Sequence, residues 1–371
     1  MKTYQHLGAI LLALLCSGCG LSGQPGMPEH PSESPMAFAM TNAVGGNTVM
    51  AYLRSSDGTL VNVASEQTGG SGVGHGLENQ GALAVSQDGR FLYVVNPGSD
   101  DVSVFRIRGE SLQLIDRAPS GGTLPVSVAE WNGIVYVLNR NESADPNSGP
   151  TIQGFELSPA GVLSAIPGSR ITLRATNTTA AQIAISPDGR WIVVTERGAD
   201  EIDLVQLSED HRPGTVKRMP SAGHGPFGFA VSNTLRLYIA ESSAGTASAY
   251  DINSGGTLSV LSAALPTQQR ATCWLTISPD EKWVYVTNTA SRSISSYRVA
   301  QDGSLLLVAS VATTTSAPPL DATVDATGSH LNVLETDGSI ETFLVDKASG
   351  LLSSQQIVPG LPSGANGLTG N

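Results

Sequence analysis

Cysteine is scarce: three occur among 371 residues, and two of them, Cys16 and Cys19, stand close to the N-terminus. Cleavage before Cys19 would leave Cys273 as the one thiol besides that terminal residue, so no internal disulfide framework is available and packing must hold the fold. Basic residues are few, 20 Lys and Arg against 32 Asp and Glu, a formal charge of −12. Such a surface repels nucleic acid, and no run of Lys or Arg marks a membrane-binding face. A Gly-rich phosphate loop, a Cys-x-x-Cys pair in the mature part, a His-Glu-x-x-His run and a calcium loop are all missing. No cofactor, no compact metal set and no nucleic-acid partner is therefore expected, although carboxylates meeting from distant segments leave an oxygen-ligated metal open.

Long apolar runs are missing too. Leu7 to Leu15 is a short apolar stretch behind Lys2, too short to span about 30 Å of hydrocarbon, and reads as an export segment. Ser17-Gly18-Cys19 resembles a bacterial lipoprotein cleavage box, with Cys16 where Leu is usual. Residues 1–18 are thus expected to be a signal peptide and Cys19 a lipidated residue, with a plain secretory signal as the alternative. Residues 19–35, rich in Pro, Gly and Ser, read as a flexible tether to a body at 36–371. An exported bacterial protein, periplasmic or at the cell surface, follows as an expectation.

What is present is a repeat. An apolar alternating stretch meets a Ser-Pro-Asp-Gly turn, and a second apolar stretch then ends in Asn or Glu. The clearest copy runs from Ile183 to Glu196; Leu83 to Asn96 and Leu275 to Asn288 are close, and three weaker copies follow the same plan. The terminal residues Asn42, Asn96, Asn139, Glu196, Glu241, Asn288 and Glu335 are spaced by 43 to 57 residues. That period is one four-stranded sheet per unit, so the fold class is all-β, a seven-bladed β-propeller. Asp-Gly pairs such as Asp88-Gly89 and Asp188-Gly189 supply tight hairpins. The first unit lacks an innermost strand before Ala37. The segment Gly364 to Asn371 is expected to supply it and close the ring.

In antiparallel sheets, segments preceding each first strand lie beside segments following each second strand. Gln182 then falls near Glu196-Arg197, the His224 to Gly228 stretch near Glu241, and Cys273-Trp274 near Asn288, around one sector of the channel mouth. Glu241 and Glu196 are candidate acid–base groups, because a partly desolvated carboxyl titrates near neutrality. His224 can exchange protons there, and Arg197 can hold an anionic oxygen. Gln182, Phe227, Cys273, Trp274 and Asn288 are candidate pocket residues. Each has a structural alternative: the carboxylates can hold neighbouring loops, Cys273 and Trp274 can pack as core, and Asp100-Asp101 and Asp200-Glu201 read as solvated loops.

Four stretches, Ile185 to Arg190, Val194 to Asp200, Gly225 to Phe229 and Thr287 to Thr289, resemble the lactonase family of seven-bladed propellers, which includes propeller-type 6-phosphogluconolactonases and carboxymuconate-lactonizing enzymes. The chain is most similar to an exported branch of that family. The resemblance implies lactone hydrolysis or lactone-forming isomerisation on a small organic-acid or sugar lactone. It also implies a role for Glu241, which matches a family carboxylate. The family's His before the strand beginning at Ile183 is Gln182 here, and its Arg and His after a Gly-Pro pair are Phe227 and Gly228. Two functional readings stand open: a lactonase-like enzyme of the cell envelope, or a non-catalytic exported propeller, expected as a monomer, that binds a ligand, glycan or envelope protein.

Overall fold

The computed structural model describes residues 36–141, 148–174, 176 and 178–370. The expected signal peptide, the tether and Cys19 lie outside the described residues. All described residues belong to one compact unit, Pro31–Asn371. Among them the only helical pieces are two three-residue 3-10 turns, Arg197–Ala199 and Thr289–Ser291. No helix among them is long and apolar enough to cross a membrane.

The strands form seven antiparallel sheets, six of four strands and one of five, here numbered as blades 1 to 7 along the chain. Blade 4 is representative: Ala180–Ile185 is its inner strand, followed outward by Trp191–Glu196, Glu201–Leu207 and Pro213–Pro220. The repeated turn explains the hairpins. In blade 4 the Ser186 hydroxyl donates to Asp188 at 2.5 Å and accepts the Trp191 N–H at 3.0 Å, while Gly189 takes φ +71°. Ser86 with Asp88 and Ser278 with Asp280 repeat the knot in blades 2 and 6. Position within the blade then sorts the side chains. The second strands, such as Phe91–Asn96, Trp191–Glu196 and Trp283–Asn288, are buried throughout, whereas the outer strands are largely exposed. Sheet packs against sheet through clusters such as Trp191, Leu204, Phe229 and Tyr250 between blades 4 and 5.

Ring closure is as the sequence predicts. Asn366–Gly370 pairs with Met36–Met40, placing Leu368 opposite Ala39 and Thr369 opposite Phe38, and becomes the inner strand of blade 1. Each inner strand contacts the inner strands of both neighbouring blades, from blade 1 round to blade 7. The ring therefore pairs its first and last strands within one sheet, which removes the free edge that Met36–Met40 would otherwise present.

Candidate active site at the channel mouth

The ring brings the expected segments to one face. Ala180 pairs with Glu196, Pro226 with Glu241 and Thr272 with Asn288, so the loops before the inner strands lie beside those after the second strands. The side chains of the proposed set, however, divide into three groups with different surroundings.

Glu241, Glu196 and Asn288 are fully buried. Glu241 is surrounded by donors: Oε1 accepts from Ser221 Oγ at 2.9 Å, Gly223 N–H at 2.7 Å and Ser248 Oγ at 2.7 Å, and Oε2 accepts from Thr246 Oγ1 at 2.5 Å. It ties the linker between blades 4 and 5 to blade 5, as a carboxylate in place of Asn can. Asn288 accepts from Thr272 and donates to Ser293 and Ser295, so its side-chain amide is engaged within its own blade. Glu196 differs, because among the described residues neither carboxyl oxygen has a hydrogen-bond partner, and the same holds for the buried Asp203. Burial, and then the charge of Asp203, pushes Glu196 up to about 8 against the pull of Arg174 and Arg218; burial pushes Asp203 up to about 7.

Phe227 and Trp274 meet edge to face at 5.1 Å between ring centres in one cluster with Ala181, and Cys273 and Leu320 pack alongside. Burial pushes the Cys273 thiol up to about 11, so it is protonated at neutral pH and a weak nucleophile. Gln182 clamps two blades: its Oε1 accepts the Phe229 N–H at 2.7 Å and its Nε2 donates to the Phe229 carbonyl at 3.0 Å. The inner edge of a blade leaves backbone groups unpaired toward the axis, and this amide satisfies them as a neighbouring strand would.

The segment 76–81, unassigned in the sequence reading, crosses the mouth. The Glu78 carbonyl accepts from the buried Arg140 at 2.8 Å, and the Glu78 carboxylate pairs with Arg197 at 2.5 Å. The Asn79 carbonyl accepts the Trp274 indole N–H at 2.7 Å. Gln80 clasps the Leu275 backbone, accepting its N–H at 3.1 Å and donating to its carbonyl at 2.8 Å. One linker is thus fastened to blades 4 and 6 and to the loop after blade 3's second strand. Gly228 makes room beneath it, since a Cβ there would lie 2.0 Å from Gln80 Oε1 and 2.8 Å from the Cys273 carbonyl oxygen. Below lies an axial cavity of about 200 Å³ bounded by Gln80, Gln182 and the buried Asp321. Asp321 accepts the N–H of Leu368 from the closing strand at 3.0 Å, and burial pushes it up to about 7. The length of the linker 68–82 is the sequence signal that could have exposed this plug; nothing in the repeat marks Asp321.

The third group stays accessible. His224 Nδ1 lies 2.8 Å from Asp200 Oδ2, and the other oxygen of Asp200 accepts the Gly225 N–H at 2.7 Å. The His224 side chain is 77 % exposed. The bond to Asp200, and then its charge, holds the imidazole above its usual value, while the same bond holds Asp200 below its own. Asp200 is therefore an orienting carboxylate and not merely a solvated loop residue. Asp100 likewise accepts the Leu124 N–H, a staple between blades 2 and 3 without a His. Arg197 sits in the 3-10 turn that leads to Asp200, its guanidinium 5.8 Å from the Phe227 ring centre. With Nδ1–H donated to Asp200, Nε2 carries the lone pair and can take a proton from water. Among the described residues no group of three or more His, Cys, Asp or Glu side chains is placed to hold a metal ion.

The family model described as lactonase, 7-bladed β-propeller, matches residues 40–146, 150–274 and 256–364. A provisionally assigned 6-phosphogluconolactonase from Bacteroides fragilis is similar at 20 % identity and a TM-score of 0.73, over 94 % of this chain and 100 % of that one. The periplasmic gluconolactonase of Pseudomonas aeruginosa is similar at 18 % identity and a TM-score of 0.71, over 90 % and 98 % of the two chains. At these identities the likeness to the solved structures concerns the fold. No curated protein matches the chain.

Proposed function

The chain belongs to the lactonase family of seven-bladed β-propellers, and from that premise we propose that it hydrolyses a small organic-acid or sugar lactone, with His224 as general base. The observation that carries the reading is the Asp200–His224 contact, which leaves an oriented and exposed imidazole at the mouth. His224 Nε2 takes a proton from water as the water oxygen attacks the lactone carbonyl carbon. Arg197 stabilises the negative charge that develops on the carbonyl oxygen. The ring C–O bond then breaks, the imidazolium returns its proton to the departing alkoxide, and a hydroxy acid leaves. Glu241 and Glu196 take no proton in this scheme, because both are buried. An exported setting is part of the proposal, supported by the apolar stretch Leu7 to Leu15 and by the periplasmic neighbour of the same fold.

A non-catalytic propeller that binds a ligand, glycan or protein partner is the second reading. It is favoured by the plug at 76–81, which engages Arg197 through Glu78. The deciding experiment is pH-stat hydrolysis of a panel of five- and six-membered aldonolactones and carboxylated lactones, wild type against His224→Gln. Turnover that falls at least about 100-fold in the variant supports the base. Equal turnover in both removes His224 from catalysis, and no turnover of any lactone leaves the binding reading standing.

A further inference from the structure

Blades 4 and 5 place a carboxylate at the same position, the last residue of the second strand, and treat it differently. In blade 5 the strand positions facing Glu241 are Thr246 and Ser248, and both hydroxyls donate to it. Register places Glu201 and Asp203 of blade 4 at the corresponding sites, because Glu196 pairs with Glu201 as Glu241 pairs with Thr246. A serine donor is thereby exchanged for a second buried acid. The result is four carboxyl oxygens, two on Glu196 and two on Asp203, that are buried without a hydrogen-bond partner among the described residues. The charged groups acting on them are Glu201 of the same strand as Asp203, Arg174 of the linker from blade 3 and Arg218 of the outer strand. Both arginines have other engagements: Arg174 pairs with Glu201, and Arg218 donates to the Leu173 carbonyl.

Two neighbouring carboxylates cannot both ionise at little cost in such a place, since each is desolvated and each repels the other. We propose that Glu196 and Asp203, buried on adjoining strands without donors, do not both ionise at neutral pH and act as a positioning pair for the turn that carries Arg197 and Asp200. The connection is direct. Glu196 is the residue from which the 3-10 turn Arg197–Ala199 begins, and Asp200 at φ +55° ends it. The turn is tied to the linker from blade 3 by the Gly198 N–H, which donates to the Thr178 carbonyl at 2.6 Å. Loss of the retained proton leaves two negative charges on the strands that flank that turn. The pair then repels, and the orientation of Asp200 toward His224 loosens. The consequence for hydrolysis rests on the proposed function; the titration of the pair and its effect on His224 do not.

The test is Asp203→Ser, which installs the blade 5 arrangement, followed through the ring resonances of His224 and the thermal midpoint between pH 5.5 and 9. In the wild type the His224 resonances should show their own titration and a second inflection from the pair. The midpoint should fall by roughly 5 °C or more toward pH 9, since groups raised in the folded state stabilise it only while protonated. In Asp203→Ser the second inflection should vanish and most of the fall with it. Glu196→Gln should act in the same way and serves if Asp203→Ser does not fold. A second inflection that persists in the folding variant, or a wild-type His224 with a single titration, overturns the proposal. Neither readout requires turnover, so failure to hydrolyse lactones sinks the function and leaves this result intact.

Discussion

Deleting residues 364–371 removes the closing strand and tests the ring by its seam. The deletion breaks four backbone pairings with Met36–Met40, takes away the buried Leu368, and deprives Asp321 of the Leu368 N–H. At about 1 kcal/mol net per hydrogen bond and about 2 kcal/mol for a buried Leu, these losses come to roughly 6–8 kcal/mol. Exposure of the fully buried Phe38, Ala39 and Met40 along a new sheet edge adds to them. A domain is stable by about 5–15 kcal/mol in all, so the shortened chain should be unfolded or close to it at room temperature. The assay is far-UV circular dichroism with thermal melting of the shortened and full-length chains, alongside the soluble fraction on expression. A shortened chain that melts cooperatively within about 3 °C of the full-length one would refute the closure by Asn366–Gly370.

Three further outcomes follow from the site. Glu241→Ala leaves Ser221, Thr246, Ser248 and the Gly223 N–H without their acceptor, and should cost about 2–4 kcal/mol in denaturant unfolding while the rate per folded molecule stays unchanged. Gly228→Ala drives a Cβ into Gln80 Oε1 and should lift the plug, seen as faster labelling of Cys273 by a thiol reagent at pH 8 than in the wild type. Glu196, Asp203 and Asp321 all sit above the ordinary carboxylate range in the fold, at about 8, 7 and 7. The unfolded chain ionises these groups at lower pH, so their stabilising effect is complete below that range and is lost as pH rises through 7 to 8; the melting midpoint should be higher at pH 6 than at pH 9.

The repeat made the ring legible because it is local. Ser186-Pro187-Asp188-Gly189 writes a hairpin into four successive residues, and the alternating stretches beside it need no distant partner to be recognised. The seam was legible for a related reason, since a unit without an inner strand needs one and the segment after Gly364 had no other place. The site was less readable. Glu196 and Glu241 look alike in sequence, and only the sheet register reveals Asp203 beside one and Ser248 beside the other. Asp200 gave the impression of a loop acid because its partner, His224, comes from the next linker. Gln80 acts on Leu275 of a blade far away in sequence, Gln182 and Asp321 join inner strands of neighbouring blades, and no spacing rule reaches any of them.

The most direct measurement is the pH dependence of kcat/KM for lactone hydrolysis, wild type against Asp200→Asn. The Asp200–His224 arrangement predicts a rate that rises with pH through a value above about 6.5, the ordinary histidine value, and a limb displaced to lower pH, with a lower plateau, in the variant. A profile that is flat across that range, or identical in the two proteins, would contradict it.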